Sequence, residues 1–174
     1  MWTSMESPVG TLRIVANRTA ITAIEYTGTQ PASSSKASSI SRAAAVSAGR
    51  VVGERDDANP LLIEAVRQLR AYFDRDLKEF DLPLDPAGTP FQVLVWDQLK
   101  LIGYGETASY GEIAGRLGKS LAASRAVGLA NGRNPIPIVI PCHRVVGANG
   151  TLTGYAGGVE RKQTLLDLEQ DALF

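Results

Sequence analysis

Two cap-and-proline pairs, Asn59-Pro60 and Thr89-Pro90, mark where helices begin in this chain. In each, a side chain able to bond an orphan backbone amide precedes the one residue type that has no amide proton to satisfy. After the first, Leu62, Val66, Leu69 and Phe73 follow at the spacing of one buried helical face. After the second, Phe91, Leu94, Val95, Leu99 and Ile102 form another, with Trp96 expected in the core or at an interface. Upstream the period changes to two. "GTLRIVAN", following the turn "SPVG", and "AITAIEY" both alternate apolar and polar residues, which predicts a small antiparallel sheet.

These patterns define an α+β fold with a boundary. "DLPLDPAG", residues 81 to 88, is dense in turn formers and separates an N-terminal sheet-and-helix domain, 1–85, from a mainly helical domain, 86–174. Residues 27–57 change to Ser, Ala and Gly with few large apolar groups, so a long loop is expected there. With 174 residues, 44% of them hydrophobic, the chain can bury a core in one domain or two small ones. The N-terminus lacks a basic flank followed by an apolar stretch, and no apolar run approaches membrane-spanning length, which predicts a cytoplasmic protein without a membrane partner.

In the second domain, Ser109 and Glu112 in "SYGE" have capping-box spacing, predicting a short helix that ends near Leu117 before Gly118. "SLAASRAVGLAN", residues 120 to 131, reads as a second helix rich in small residues. Two short helices about a glycine turn fit a helix-turn-helix, although a plain helical hairpin is the commoner arrangement for such a pattern. "ANGT", 148 to 151, signals a hairpin turn, and "VERKQTLLDLEQ", 159 to 170, a final helix. Net charge is zero, yet residues 103 to 163 hold seven Lys/Arg against three Glu, a basic lobe compatible with a polyanion.

"PIPIVIPCHRVVG", residues 135 to 147, puts the only cysteine, Cys142, beside the only histidine, His143. One of each cannot supply the usual ligands of structural zinc, so a metal would need carboxylates or be absent. A lone cysteine is commonly a small buried hydrophobe; as a nucleophile it needs a base or a positive field, and His143 and Arg144 offer both. If the segment is extended, His143 points away from the sulfur and acts through a bound water, with a carboxylate fixing its tautomer.

The runs "TASYGEIA", "SRAVGLANGRNP", "IPCHRV", "GYAGG" and "RKQTLLDLE" together resemble the O6-alkylguanine-DNA alkyltransferase family, continuously over about residues 89 to 170. That resemblance implies a ribonuclease H-like N-terminal domain and a winged helix-turn-helix-like C-terminal one. It implies direct-reversal repair: the alkyl group on O6 of a flipped-out guanine, with O4 of thymine a second candidate, passes irreversibly to Cys142. In the implied site His143 and Glu169 activate the thiol and Asn134 ties the helices to the loop. Tyr110, Arg125, Tyr155, Ala156, Ala126, Gly128 and Asn131 would meet the nucleotide or the DNA. No cofactor is implied, and the implied partner is damaged duplex DNA bound through the minor groove by a monomer, with cooperative assembly open. The chain departs from the pattern at Ala156, where some members carry serine, and at Gly103, where proline is usual. Rival readings are a non-catalytic binder of alkylated DNA, a cysteine hydrolase and a DNA-binding regulator.

Overall fold

The computed structural model describes residues 1–28, 53–152 and 155–171; most of the loop expected at 27–57 lies outside them. Strands β1 (Trp2–Ser7), β2 (Gly10–Ala16) and β3 (Ile21–Tyr26) form an antiparallel sheet in the order β1-β2-β3. The first turn closes at Gly10, whose φ of 100° a side chain would disfavour. Leu12, Ile14 and Ala16 point to the core with Met5, Ile21 and Ile24. β1 was not expected as a strand. Its inward residues are Thr3 and Met5, and Thr3 is polar; its hydroxyl donates to Asp57 at 2.7 Å.

Helix α1 (Pro60–Phe73) packs on the sheet, opened by Asn59, whose side-chain oxygen accepts from the amides of Leu61 and Leu62. Its buried stripe is Leu62, Ala65, Gln68, Leu69 and Tyr72, while Val66 and Phe73 are only half-buried. The face is rotated from expectation because two polar side chains are committed inward. Gln68 exchanges two bonds of 2.9 Å with the backbone of Asp81, and Tyr72 reaches Glu169. The turn-rich stretch is strapped to the sheet: Ile21 donates to Pro83 at 2.8 Å and accepts from Asp85 at 2.9 Å.

Helix α2 (Pro90–Leu99) carries the full capping box, Thr89 with Gln92. Val95, Trp96 and Leu99 are buried, as is Ile102 beyond the helix, but Leu94 is 52% exposed. Trp96 displaces Leu94 from the core and anchors its indole N–H on the carbonyl of Ala130 at 2.9 Å. Strand β4 (Ala108–Ser109) leads into α3 (Tyr110–Arg116), where Ser109 accepts from the amide of Glu112. The expected helix at 120–131 is broken into a 3-10 turn at Leu121–Ala123 and helix α4 (Ser124–Gly132), since Ser120 makes no side-chain cap and regular bonding begins only at Ser124.

A second 3-10 turn, Cys142–Arg144, precedes β5 (Val145–Val146), which pairs in parallel with β4. The expected turn at "ANGT" closes between Gly147 and Thr151, but no hairpin is built on it among the described residues. Helix α5 (Val159–Asp171) buries Lys162, Leu165, Leu166 and Glu169 along one face. No described helix is long and apolar enough to cross a membrane.

Candidate active site around Cys142

Three prolines in "NPIPIVIPC" remove amide donors and bar regular structure, yet the run is apolar and buried. Its backbone closes on itself in tight turns. Val139 donates to Pro137 at 2.9 Å across Ile138, whose φ is 75°, and Cys142 donates to Ile140 at 2.8 Å across Pro141. A positive φ at a β-branched residue costs on the order of 1–3 kcal/mol and persists only where neighbours hold it. Two asparagines do so. Asn134 donates to the Ile140 carbonyl at 2.8 Å and accepts from the Ile136 amide at 3.0 Å, and Asn131 donates to the Cys142 carbonyl at 3.3 Å. Asn131, expected among the DNA-contacting residues, is 1% exposed and faces the loop.

The 3-10 turn corrects the extended geometry expected at Cys142 and His143, and it sends His143 and Arg144 to one carboxylate. Glu169 accepts from His143 Nε2 at 2.7 Å, from Arg144 Nε and Nη2 at 3.0 and 2.8 Å, from the Tyr72 hydroxyl at 2.8 Å and from the Gly105 amide at 3.4 Å. Burial alone would raise the Glu169 pKa, but the bonds and charges of His143 and Arg144 prevail and hold it at about 2. It is therefore ionised at neutral pH. Burial lowers the pKa of His143, against the pull of Glu169, so the imidazole is neutral at rest. With Nε2 donating to an ionised carboxylate, the other nitrogen, Nδ1, carries the lone pair, and this buried atom has no hydrogen-bond partner among the described residues.

Cys142 is 4% exposed, and burial pushes its thiol up to about 11. Opposing that, the neighbouring polar side chains of Asn134 and Tyr155 and the positive charge of the Lys162 ammonium favour the thiolate. Arg144, expected to supply that field, is instead consumed by Glu169 and by the Ile102 carbonyl at 2.7 Å. Lys162 is fully buried, donates to the Val145 carbonyl, and is brought down to about 8 by burial, with Cys142 pulling the other way. Sequence reasoning missed Lys162, although it stands two helical turns before Glu169 with Leu165 and Leu166 between them on the same face. It also missed Tyr72 and Tyr26, whose neighbours in sequence give no such signal.

The helix pair lies beside this centre. Tyr110 is half-buried at the start of α3 and covers Gly128, where an added Cβ would stand 3.6 Å from its ring. Arg125, Ala122 and Ala126 are exposed, as are Leu121 (78%) and Leu129 (63%). Of the basic lobe, Arg144 and Lys162 are buried and Arg161 is bound to backbone carbonyls. The surface thus carries four exposed cations, Arg116, Lys119, Arg125 and Arg133, against exposed Glu106, Glu112 and Glu160, a weaker field than the sequence count implies. Tyr155 is buried and Ala156 exposed. A depression of about 430 Å³ lined by Ser109, Tyr110, Gly111, Glu112, Leu121, Ser124 and Ala148 adjoins the helix pair and does not include Cys142.

Comparison with known proteins places this geometry. Residues 1–86 match the family model of the 6-O-methylguanine DNA methyltransferase ribonuclease-like domain, and residues 90–171 match that of the DNA binding domain. A methylated-DNA–protein-cysteine methyltransferase of Methanosarcina acetivorans is 63% identical over 106 residues, 61% of this chain and 67% of the relative. One of Mycolicibacterium paratuberculosis is 63% identical over 106 residues, 61% of this chain and 64% of the relative. The aligned stretch thus spans about two thirds of these relatives' length. The crystal structure of Mycobacterium tuberculosis O6-methylguanine methyltransferase superposes with a TM-score of 0.79 at 43% identity, covering 98% of this chain and 93% of that one. A structure of the Mycobacterium tuberculosis protein in complex with DNA gives 0.82 at the same identity and coverage. Both halves of the chain and its fold therefore agree, and the protein belongs to the 6-O-methylguanine DNA methyltransferase family.

Proposed function

We propose that this protein repairs DNA by direct reversal, moving a methyl or larger alkyl group from O6 of guanine to Cys142, once per protein molecule. The observation that carries this reading is the buried His143–Glu169 pair next to Cys142. Glu169 fixes His143 with Nδ1 as the free base, and Cys142 adjoins it on a buried, asparagine-stapled turn. His143 takes the thiol proton through a bridging water, and Glu169 stabilises the imidazolium that forms. The sulfur then attacks the alkyl carbon in line. The S–C bond forms as the C–O6 bond breaks, and the electron pair stays on the guanine, which takes up a proton and leaves. Tyr110 and backbone amides hydrogen-bond the ring as its charge develops. Lys162 supports the thiolate before attack. The thioether has no route back to a thiol, so there is no turnover.

DNA supplies the substrate. The target carbon is inaccessible in a stacked duplex, so the nucleotide is extruded, with Arg125 filling the space it leaves and Tyr155 and Ala156 lining the pocket that receives it. Ala122, Ala126 and the exposed leucines of the α4 region suit close approach to a minor groove with little sequence readout. The division into 1–85 and 86–174 assigns transfer and DNA binding to the second part. We read the protein as a monomer that needs no cofactor, and a lone reduced thiol suits a reducing cytoplasm. The deciding experiment is intact-mass analysis after mixing with duplex containing O6-methylguanine. A single methyl increment mapped to Cys142 is expected; catalytic loss of methyl from DNA with an unmodified protein would overturn the reading.

A further inference from the structure

Arg161 stands in the first turn of α5, at the positive end of the helix dipole, where a cation is least favoured. Its three hydrogen bonds all go to main-chain carbonyls. Nε donates to Val9 at 2.8 Å, Nη2 to Gly28 at 3.1 Å and Nη1 to Gly157 at 3.2 Å. Val9 lies in the turn between β1 and β2, Gly28 two residues beyond the end of β3, and Gly157 in the loop before α5, so one side chain joins the N-terminal sheet to that loop. The Tyr26 ring lies beside the guanidinium, 4.5 Å away at its centroid, and its hydroxyl is 2.6 Å from that of Tyr155.

The loop held in this way is the turn Tyr155–Gly158, closed by the Gly158 amide donating to the Tyr155 carbonyl at 3.0 Å. It is poor in side chains: between Tyr155 and α5 stand Ala156 and two glycines. Glycine loses more freedom on ordering than any other residue, so such a turn is fixed by what fastens it. The fastening is close. A Cβ on Gly157 would fall 2.6 Å from Tyr26 Cε2 and 2.8 Å from Tyr155 Cε1, so the main chain there lies directly on the two rings while Ala156 stays exposed. We propose that Arg161 is a positioning residue for alkyl transfer: by fastening this turn to the N-terminal sheet it fixes the wall, Tyr155 and Ala156, against which the extruded base is received. That role rests on Tyr155 and Ala156 lining the base pocket, as the proposed function has them. The N-terminal sheet thereby serves as the template for a surface of the C-terminal half. A displaced wall misplaces the alkyl carbon relative to the sulfur, and a misplacement of about 1 Å can cost on the order of a hundredfold in rate.

Arg161→Met keeps the aliphatic stem and removes all three donors. Single-turnover methyl transfer from duplex containing O6-methylguanine, followed over a range of DNA concentrations, is expected to show a limiting rate about tenfold below the parent, with half-saturating DNA within about twofold because α4 is untouched. Cys142 is the only cysteine, so mass-detected reaction with iodoacetamide reports on it alone, and that reaction is expected to keep the parent rate. A variant that was merely less stable would show a smaller amplitude at the parent transfer rate. Arg161→Lys keeps a charge beside the Tyr26 ring but cannot span three carbonyls, so its transfer is expected to remain at least about threefold slow. A limiting rate in Arg161→Met within about twofold of the parent, full recovery in Arg161→Lys, or iodoacetamide reaction slowed in step with transfer would each overturn the proposal. If Arg161→Met does not fold, the lysine variant decides. A parent protein that takes no methyl from DNA would sink the proposed function; the fastening of the turn is then judged by hydrogen exchange at the Gly158 amide, expected to be about tenfold faster in the folded variant, with an unchanged rate the contrary result.

Discussion

The Tyr72 hydroxyl, on α1, donates to Oε1 of Glu169 at 2.8 Å, the same oxygen that accepts from His143 Nε2. A helix of the N-terminal half thus shares in fixing the histidine's carboxylate. Tyr72→Phe removes one donor of several and leaves the packed ring. We expect a loss of about 1 kcal/mol in stability and transfer slowed a few-fold. Urea unfolding and single-turnover repair rates check this; a rate unchanged within error would mean that His143 and Arg144 alone fix Glu169.

Cys142→Ser is expected to abolish transfer while DNA affinity stays near that of the parent, because a serine hydroxyl ionises far less readily than a thiol and the helix pair is untouched. Methyl transfer to the serine variant near the parent rate, read by mass, is the contrary outcome.

Glu169→Gln leaves the Arg144 guanidinium buried opposite a neutral group, so a stability loss of about 3–5 kcal/mol is expected together with loss of transfer. The parent protein carries the matching pH dependence. The Glu169 pKa is depressed from 4.5 to about 2, so this contribution is complete above 4.5 and is lost as pH falls toward 2. His143, whose pKa is also lowered, adds a loss of the same sign as pH falls below 6.5. Urea midpoints measured from pH 7 down to pH 3 are expected to fall in the parent, with the part of the fall below pH 4.5 flattened in Glu169→Gln.

Lys162→Met tests the field at the sulfur. The apolar replacement removes a buried cation and leaves the buried Val145 carbonyl without its donor, a stability loss of about 1–3 kcal/mol, and the thiol loses the positive charge that opposes its burial. The pH midpoint of thiol reactivity is expected to rise by about a unit and transfer at neutral pH to slow about tenfold. A midpoint that stays put would assign Lys162 to holding the Val145 carbonyl alone.

How much of this was legible beforehand differs by element. Cap chemistry is local, so Asn59, Thr89 and Ser109 opened helices where expected. Faces were less legible. Leu94 and Val66 obeyed the spacing, yet Trp96, Gln68 and Tyr72 took the inward positions, because partners distant in sequence, Ala130, Asp81 and Glu169, were waiting for them. Strands β4 and β5 have two residues each and exist only through their mutual pairing, so no periodicity could reveal them. Cys142 and His143 stood out as the lone cysteine beside the lone histidine, while Glu169 was named only through motif resemblance, and the structure brings His143 and Glu169 together. Lys162 was visible as a charge on an apolar helical face, whereas Tyr26 meets Tyr155 only through tertiary structure.

Arg125 distinguishes two ways in which an arginine can serve DNA repair. It stands exposed on α4 among exposed Ala122 and Ala126, with Leu121 and Leu129 one turn to either side, so its side chain projects from a low, apolar face. An arginine that neutralises phosphate contributes to binding of every duplex, and its loss lowers affinity and the salt slope together. An arginine that occupies the gap left by an extruded base contributes only where a base must be extruded, a cost of a few kcal/mol in a normal pair and less in a mismatch or single strand. Arg125→Ala is therefore expected to slow repair of a paired lesion by tenfold or more, roughly 1.4 kcal/mol, while repair in single-stranded DNA slows by less than about threefold. Affinity for undamaged duplex is expected to fall only slightly, because Arg116, Lys119 and Arg133 remain exposed. Rates on matched, mismatched and single-stranded substrates, measured at two salt concentrations, separate the roles: equal slowing on all three with a reduced salt slope would make Arg125 a phosphate contact.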